Sequence, residues 1–404
     1  MRYLFGFLCL CTLGVVPLGG CGDQTTINIY VGTGGVSGND GGGCEMDVCP
    51  CTEQGIRDAI AKGGGPYTFT CEGPTTVVTE AEITINNDVI LDGEGNFTVD
   101  GNDNHPVFSV AVGVTAELRG FAVTRGLESG ILNNGTLTIS NSVVSDSGGG
   151  FKGGGILNVG GATMMITNTT VSGNRAGDPG GGVANDPGAT MTITNSTVTG
   201  NTASEGGGVH NWGTLTMTGV VVSANSVSPG ASEGEGGGVA NWGTLVLTNS
   251  TLSGNDATAG GGGIYNSADG GGGTLVLVNS TVSGNSSGSG ADGIFTNGGS
   301  VALTNSIVDD DCDGDITSNG YNIESPGNTC GFDQVGDQAS VSAVQLDLGP
   351  LADNGGLTET HALLPGSVAI NQIPEAACEV DTDQRGVTRP QGPACDVGAF
   401  EVQP

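Results

Sequence analysis

The sequence predicts an all-β chain wound into a parallel β-helix (solenoid) of about ten coils, preceded by a short capping helix and followed by a disulfide-tied cap. Three observations carry this. First, a sentence of roughly 25 to 30 residues recurs between about residues 133 and 299. One copy reads GGGVHNWGTLTMTGVVVSAN from Gly206, and the next reads GGGVANWGTLVLTNSTLSGN from Gly236. Second, each copy holds three short stretches in which aliphatic and polar residues alternate, the period of a strand with one buried face. Third, Gly triplets and Asn residues fall in columns: Asn158, Asn185, Asn211, Asn241 and Asn266; Asn174, Asn201, Asn225, Asn255 and Asn285; Asn168, Asn195, Asn249, Asn279 and Asn305. Asn tolerates left-handed turns and can pass hydrogen bonds along a stack, so these columns read as turn ladders. The period is too short for a propeller blade, and there is neither a helix per copy nor a Leu-rich frame. What remains is a coil whose strands pair with the same strands one turn on, about 4.8 Å away, so that some ten coils form a rod near ~50 Å long.

The elements follow in order. Residues 1–20 read as a signal peptide: Arg2, an apolar run, then small residues. Leu18-Gly19-Gly20-Cys21 resembles a bacterial lipobox, which implies lipidation of Cys21. Residues 21–43, rich in Gly, Thr and Asn, suit a tether. Residues 44–66 form an N-terminal cap. Within it, residues 52–62 place Ile56, Ala59 and Ile60 on one helical face, with Thr52 as N-cap and Gly63-Gly64-Gly65 as stop. A solenoid end exposes apolar side chains and unpaired backbone, so a cover is expected there. Residues 67–325 are the β-helix, irregular at first and regular after Gly130. Residues 326–404 are aperiodic and Pro-punctuated, and they read as the C-terminal cap.

Of 11 cysteines, Cys9 and Cys11 leave with the signal and Cys21 carries lipid. The remaining eight flank the repeats, as disulfides of an exported protein do. The expected pairs are Cys312 with Cys330 and Cys378 with Cys395. Cys44, Cys49, Cys51 and Cys71 allow three connectivities, of which Cys44–Cys49 with Cys51–Cys71 is taken. The Cys49-Pro50-Cys51 spacing with no nearby His does not suit zinc.

The formal net charge is -33, from nine basic and 42 acidic residues. That field repels nucleic acid and attracts cations. Asp309, Asp311 and Asp313 with Gly314 have the D-x-D-x-D-G spacing of a calcium loop. Gly320 stands where an EF-hand has Glu, so calcium is a weak expectation beside a plain acidic turn, and no other cofactor is expected. By strand alternation, His210 and Trp212 point outward, with Trp242 and Tyr265 in the neighbouring columns. Such aromatics suit a sugar ring or a partner protein, or else sit beneath a loop.

The regular coils resemble the right-handed parallel β-helix repeats of bacterial surface proteins, including the polymorphic outer-membrane protein family, with Gly-Gly-Gly-Val/Ile in place of its GGA motif. CTEQGIRDAI from Cys51 is similar to the CSLREA motif, with two extra residues. Residues 348–371 and 383–401 resemble the choice-of-anchor Q type of C-terminal region. Together these resemblances imply a bacterial protein exported to the outer membrane or cell surface, and they assign no catalytic residue. The reading is a lipid-anchored, structural or adhesive protein that binds glycan or matrix. The alternative is a polysaccharide-degrading enzyme, lyase or glycoside hydrolase. A hydrolase needs two carboxylates about 5 to 9.5 Å apart, and a lyase a base with a cation-binding acid cluster. The acids Asp178, Glu205, Glu233, Glu235 and Asp256 lie in the variable loops. Arg119, Arg125, Lys152 and Arg175 are the bases of the rod.

Overall fold

The computed structural model describes residues 43–404 except 151, 229, 232, 233, 270 and 271. The expected signal, its Cys21 and nearly all of the tether lie outside the described residues.

The repeats form a parallel β-solenoid of about nine turns. In one turn, Val209–Asn211 leads through a corner to Thr214–Thr218, then Val221–Ser223, then the two-residue strand Ser226–Val227. Each strand pairs in parallel with its counterpart in the next turn, and the register runs without slip through the regular coils. Val183, Val209, Val239 and Ile264 are in line, as are Met191, Leu215, Leu245 and Leu275. The inward residues of all turns make one continuous core. Near its N-terminal end the core is filled by rings rather than branched chains: Phe69, Phe97 and Phe121 meet at centroid distances of 5.1 to 5.8 Å.

The N-terminal end is closed by the helix Glu53–Lys62, called α1. Thr52 caps it by accepting the Gly55 N–H at 3.0 Å. Ile56, Ala59 and Ile60 are buried against the first turns. Gly63 leaves the helix at φ 67°, a conformation that favours glycine. The disulfides Cys44–Cys49 and Cys51–Cys71 tie the segments around this cap.

Two of the three Asn columns are buried hydrogen-bond ladders. From Asn133 through Asn158, Asn185, Asn211 and Asn241 to Asn266, each side-chain amide donates to the next side-chain carbonyl at 2.7 to 2.9 Å. In the second ladder, Asn174, Asn201, Asn225 and Asn255 each donate both the backbone N–H and the side-chain amide to the next Asn Oδ1, at 2.8 to 3.1 Å. The third column has a different role. Asn168, Asn195, Asn249, Asn279 and Asn305 sit at φ of 46 to 53°, and Gly219 fills the same slot at 64°. These residues turn the corner between two strands. In the triplet Gly206-Gly207-Gly208, only Gly206 has positive φ. A Cβ on Gly207 would stand 2.4 Å from the Ser226 carbonyl and 2.6 Å from that of Gly237, so close backbone approach keeps it glycine.

At the C-terminal end, the Cys312–Cys330 disulfide and the buried carboxylate of Glu324, which accepts from Thr329 and Cys330, close the last turn. Residues 343–404 then do more than cap. They run back along the outside of the third strand face. Ala399 N–H donates to Thr281, Thr251 to Gln384, Asn249 to the Thr382 carbonyl, and Thr358 to the Gly219 carbonyl. This strap has its own core, where Ile307 and Ile323 of the solenoid meet Leu363, Ile373, Val397 and Phe400. Inside it, Arg385 pairs with Asp383 and lies 3.5 Å over the Phe400 ring, while Arg389 pairs with Glu401. Cys378–Cys395 ties it together.

Removing an amide from the second ladder leaves buried donors and acceptors unpaired on both sides. Asn225→Ala should therefore lower the unfolding free energy by about 2–3 kcal/mol, and the outward-facing Thr216→Ala by less than about 0.5 kcal/mol. Urea denaturation compares the two. Equal losses would refute the role given to the ladder.

Candidate functional site

The outer edge between the third strand and the Gly triplet differs most from coil to coil. Leu127, Gly148, Arg175 and Thr202 stack there through single bridges, and two-residue strands continue the column from Thr202–Ala203 onward. Beyond each, the chain makes a loop of its own before entering the next triplet. These loops bound a trough on the outside of the solenoid. One part, about 450 Å³, lies between Leu127, Glu128, Gly149 and Asp178. The next, about 470 Å³, shares Gly177 and Asp178 with it and reaches Lys152, Glu205, His210 and Trp212.

The four aromatic residues singled out in the sequence come together as a stack across successive coils. Ring centroids are 4.8 Å apart for His210–Trp242, 6.0 Å for Trp212–Trp242 and 5.5 Å for Trp242–Tyr265. The column continues to Phe295, 5.6 Å beyond Tyr265. The open aromatic face expected from alternation is corrected in one respect. His210 is 4%, Trp242 9% and Tyr265 3% exposed, and only Trp212, at 41%, faces solvent. Alternation gave the correct side of the strand, but the loops fold over it. The backbone of Gly260 and Gly290 packs against Phe295, and Glu235 lies near the Tyr265 phenol, whose ionisation burial pushes up.

His210 fixes the orientation of Trp212. The indole Nε1–H donates to His210 Nε2 at 3.0 Å, so Nε2 is the acceptor and the ring proton sits on Nδ1. Burial, aided by the positive charge of Lys152, pushes the imidazole pKa down to about 3. The Glu205 carboxylate, 3.9 Å from Nε2, therefore faces a neutral ring and not a cation. Lys152 Nζ is 3.3 Å from Asp186.

Asp309, Asp311 and Asp313 do not converge. Asp309 accepts from Ser283, Asp311 accepts from the Asp292 N–H, and Asp313 lies on the neighbouring sheet beside Phe295. A corner of the coil passes through the motif and splits it. Among the described residues no three His, Cys, Asp or Glu side chains form a group able to hold a metal ion. The informative acid is one between them. Asp310 accepts the Gly284 and Asn285 backbone N–H groups and the Asn285 side-chain amide, so it stands at the end of the second Asn ladder. Burial pushes its pKa up to about 7 against the pull of those bonds.

Sequence reasoning recorded Lys152, Asp178 and Glu205 but did not bring them together. The signal was available: Lys152 and Glu205 each immediately precede a Gly triplet, and Asp178 lies two residues before one. Residues at one place in the repeat lie side by side in a stack.

No family model matches the chain, and no curated protein does. Among solved structures, the crystal structure of pectate lyase Pel9A matches with a TM-score of 0.55 and 16% sequence identity, over 85% of this chain and 90% of that one. In fold, the chain is similar to a pectate lyase. At that identity the likeness concerns the path of the backbone.

A histidine whose folded pKa lies below its unfolded value near ~6.5 stabilises the fold fully above that value, and the contribution is lost as pH falls toward the folded pKa. The slope reaches about 1.4 kcal/mol per pH unit. Asp310, with a raised folded pKa, has the opposite sign: its contribution is present below the unfolded value near ~3.8 and is lost as pH rises through about 7. The two partly cancel in a raw profile, so the measurement is a difference. His210→Gln keeps an acceptor for Trp212 and removes the titration. The stability gap between wild type and His210→Gln should shrink by more than about 1 kcal/mol between pH 7.5 and 5. A gap that does not change with pH would place His210 outside this role.

Proposed function

We propose that the protein is an exported β-solenoid that degrades polysaccharide in the trough bounded by Lys152, Asp178, Glu205 and Trp212. The observation that carries this reading is the juxtaposition of a half-exposed indole, held in place by a neutral His210, with carboxylates and an amine in one trough. An indole face stacks on the C–H face of a pyranose ring, and carboxylates are the groups that exchange protons with a glycosidic oxygen and with water. The likeness in fold to a pectate lyase supports the same class. The trough crosses the loops at Leu127, Gly149, Gly177, Glu205 and Ala231, one per coil, so it runs along the rod. Four steps between coils span about 19 Å, room for a short run of sugars rather than one.

A second reading, adhesion to glycan without cleavage, is favoured by the aromatic stack itself, which offers a binding platform independent of any catalyst. Export is supported by the four disulfides. Lipid attachment at Cys21 and residence at the bacterial outer membrane or cell surface complete the proposal.

The two tryptophans of the chain both lie in this site, so intrinsic fluorescence reports on it. Titration with a panel of polysaccharides should change the emission, with Trp212→Ala weakening binding about tenfold. Glu205→Gln and Asp178→Asn should leave binding in place and lower the release of sugar ends by about 100-fold or more. Binding with no product from the wild type would establish the adhesive reading, and no binding to any glycan would remove both. Separately, Cys21→Ser should move the protein from the membrane fraction to the soluble one. Unchanged fractionation would rule out the lipid anchor.

A further inference from the structure

The charge of the trough restricts what can lie in it. Among its described lining residues, Glu128, Asp178 and Glu205 are acidic and Lys152 alone is basic, with Asp186 3.3 Å from its amine. His210 adds no positive charge, because its buried ring is an acceptor for the Trp212 indole N–H. The whole chain carries a formal charge of -33, and that field adds to the local one. A polyuronate laid along several coils would bring a carboxylate into this field at every sugar. Each would lose water without gaining a cation to replace it. A neutral sugar meets no such cost. Its hydroxyls donate to the carboxylates, and its C–H face covers Trp212.

Resting on the polysaccharide reading above, we infer that the trough takes a neutral glycan, a chain of uncharged pyranoses, and not a uronate polymer. The reaction follows from the ligand. β-Elimination removes a proton made acidic by an adjacent uronate carboxyl, and a neutral sugar has none. The glycosidic bond is therefore hydrolysed. The bond between the anomeric carbon and the bridging oxygen breaks, and a water oxygen bonds to the anomeric carbon. One proton of that water ends on the departing oxygen, and the sugars gain a reducing end and no double bond.

The test is a fluorescence titration of the folded chain with two sets of oligosaccharides, neutral xylo-, gluco-, galacto- and manno-oligosaccharides on one side and oligogalacturonates, with and without millimolar calcium, on the other. A neutral set is expected to bind at least about tenfold more tightly than the oligogalacturonates at low salt. That binding should fall with Trp212→Ala, and it should be insensitive to added salt and to Lys152→Ala, since no ligand charge is involved. Products should be reducing ends without ultraviolet absorbance from unsaturated sugar. Tighter binding of oligogalacturonates, weakened by salt or by Lys152→Ala, would overturn the inference and leave the polysaccharide reading standing, as would release of unsaturated ends. Binding of neither set would overturn both.

Discussion

Every turn of this solenoid depends on buried amides finding partners in the turns before and after. An unpaired amide inside a protein costs on the order of 1–3 kcal/mol. Here the second Asn ladder alone runs through five Asn residues, with both backbone and side-chain donors committed to the next turn. Such a ladder tolerates neither a slip in register nor a missing member. It therefore fixes where each strand begins, and so which side chains face in. The aliphatic core supplies the hydrophobic drive, but Val, Ile, Leu and Met exchange places along it freely. The Asn columns do not vary within the ladders.

The strap of residues 343–404 explains a difference among coils that share one sequence pattern. Outward positions of the third strand are half-buried at Thr170 and Thr197 but fully buried at Val221, Thr251, Thr281 and Ile307. The strap covers these last four, and their chemistry fits its contacts. Thr251 donates to Gln384, Thr281 accepts from Ala399, and Ile307 joins the second core. Covering that face also leaves the opposite side, where the loops carry the trough, as the larger open surface with side-chain variety.

Repeat period, strand alternation and Asn columns made the solenoid legible, because each records a constraint that acts once per turn. The capping helix was legible through Thr52, Ile56, Ala59, Ile60 and Gly63 for the same reason: local spacing carries local structure. The strap was read as an end cap because its contacts join residues more than 100 positions apart and leave no periodic trace. At the site, alternation placed His210, Trp212, Trp242 and Tyr265 on the outer side of their strands, yet nothing local told that loops would bury three of them. The calcium motif failed on geometry. Its spacing assumes one continuous loop, whereas a coil corner sends Asp309 and Asp313 to different sheets.

The second Asn ladder has a direction. Every amide in it donates toward the C-terminal end, so each turn presents the next with two N–H groups seeking an acceptor. An Asn at the final position would accept them and then offer its own donors onward, an invitation to one more turn, whether from this chain or from another. Asp310 stands there instead. Its ionised carboxylate takes up the N–H groups and has none to hand on. One substitution of oxygen for an amide nitrogen thus makes the rod finite, and it removes the open edge by which stacked strands recruit their neighbours into fibres.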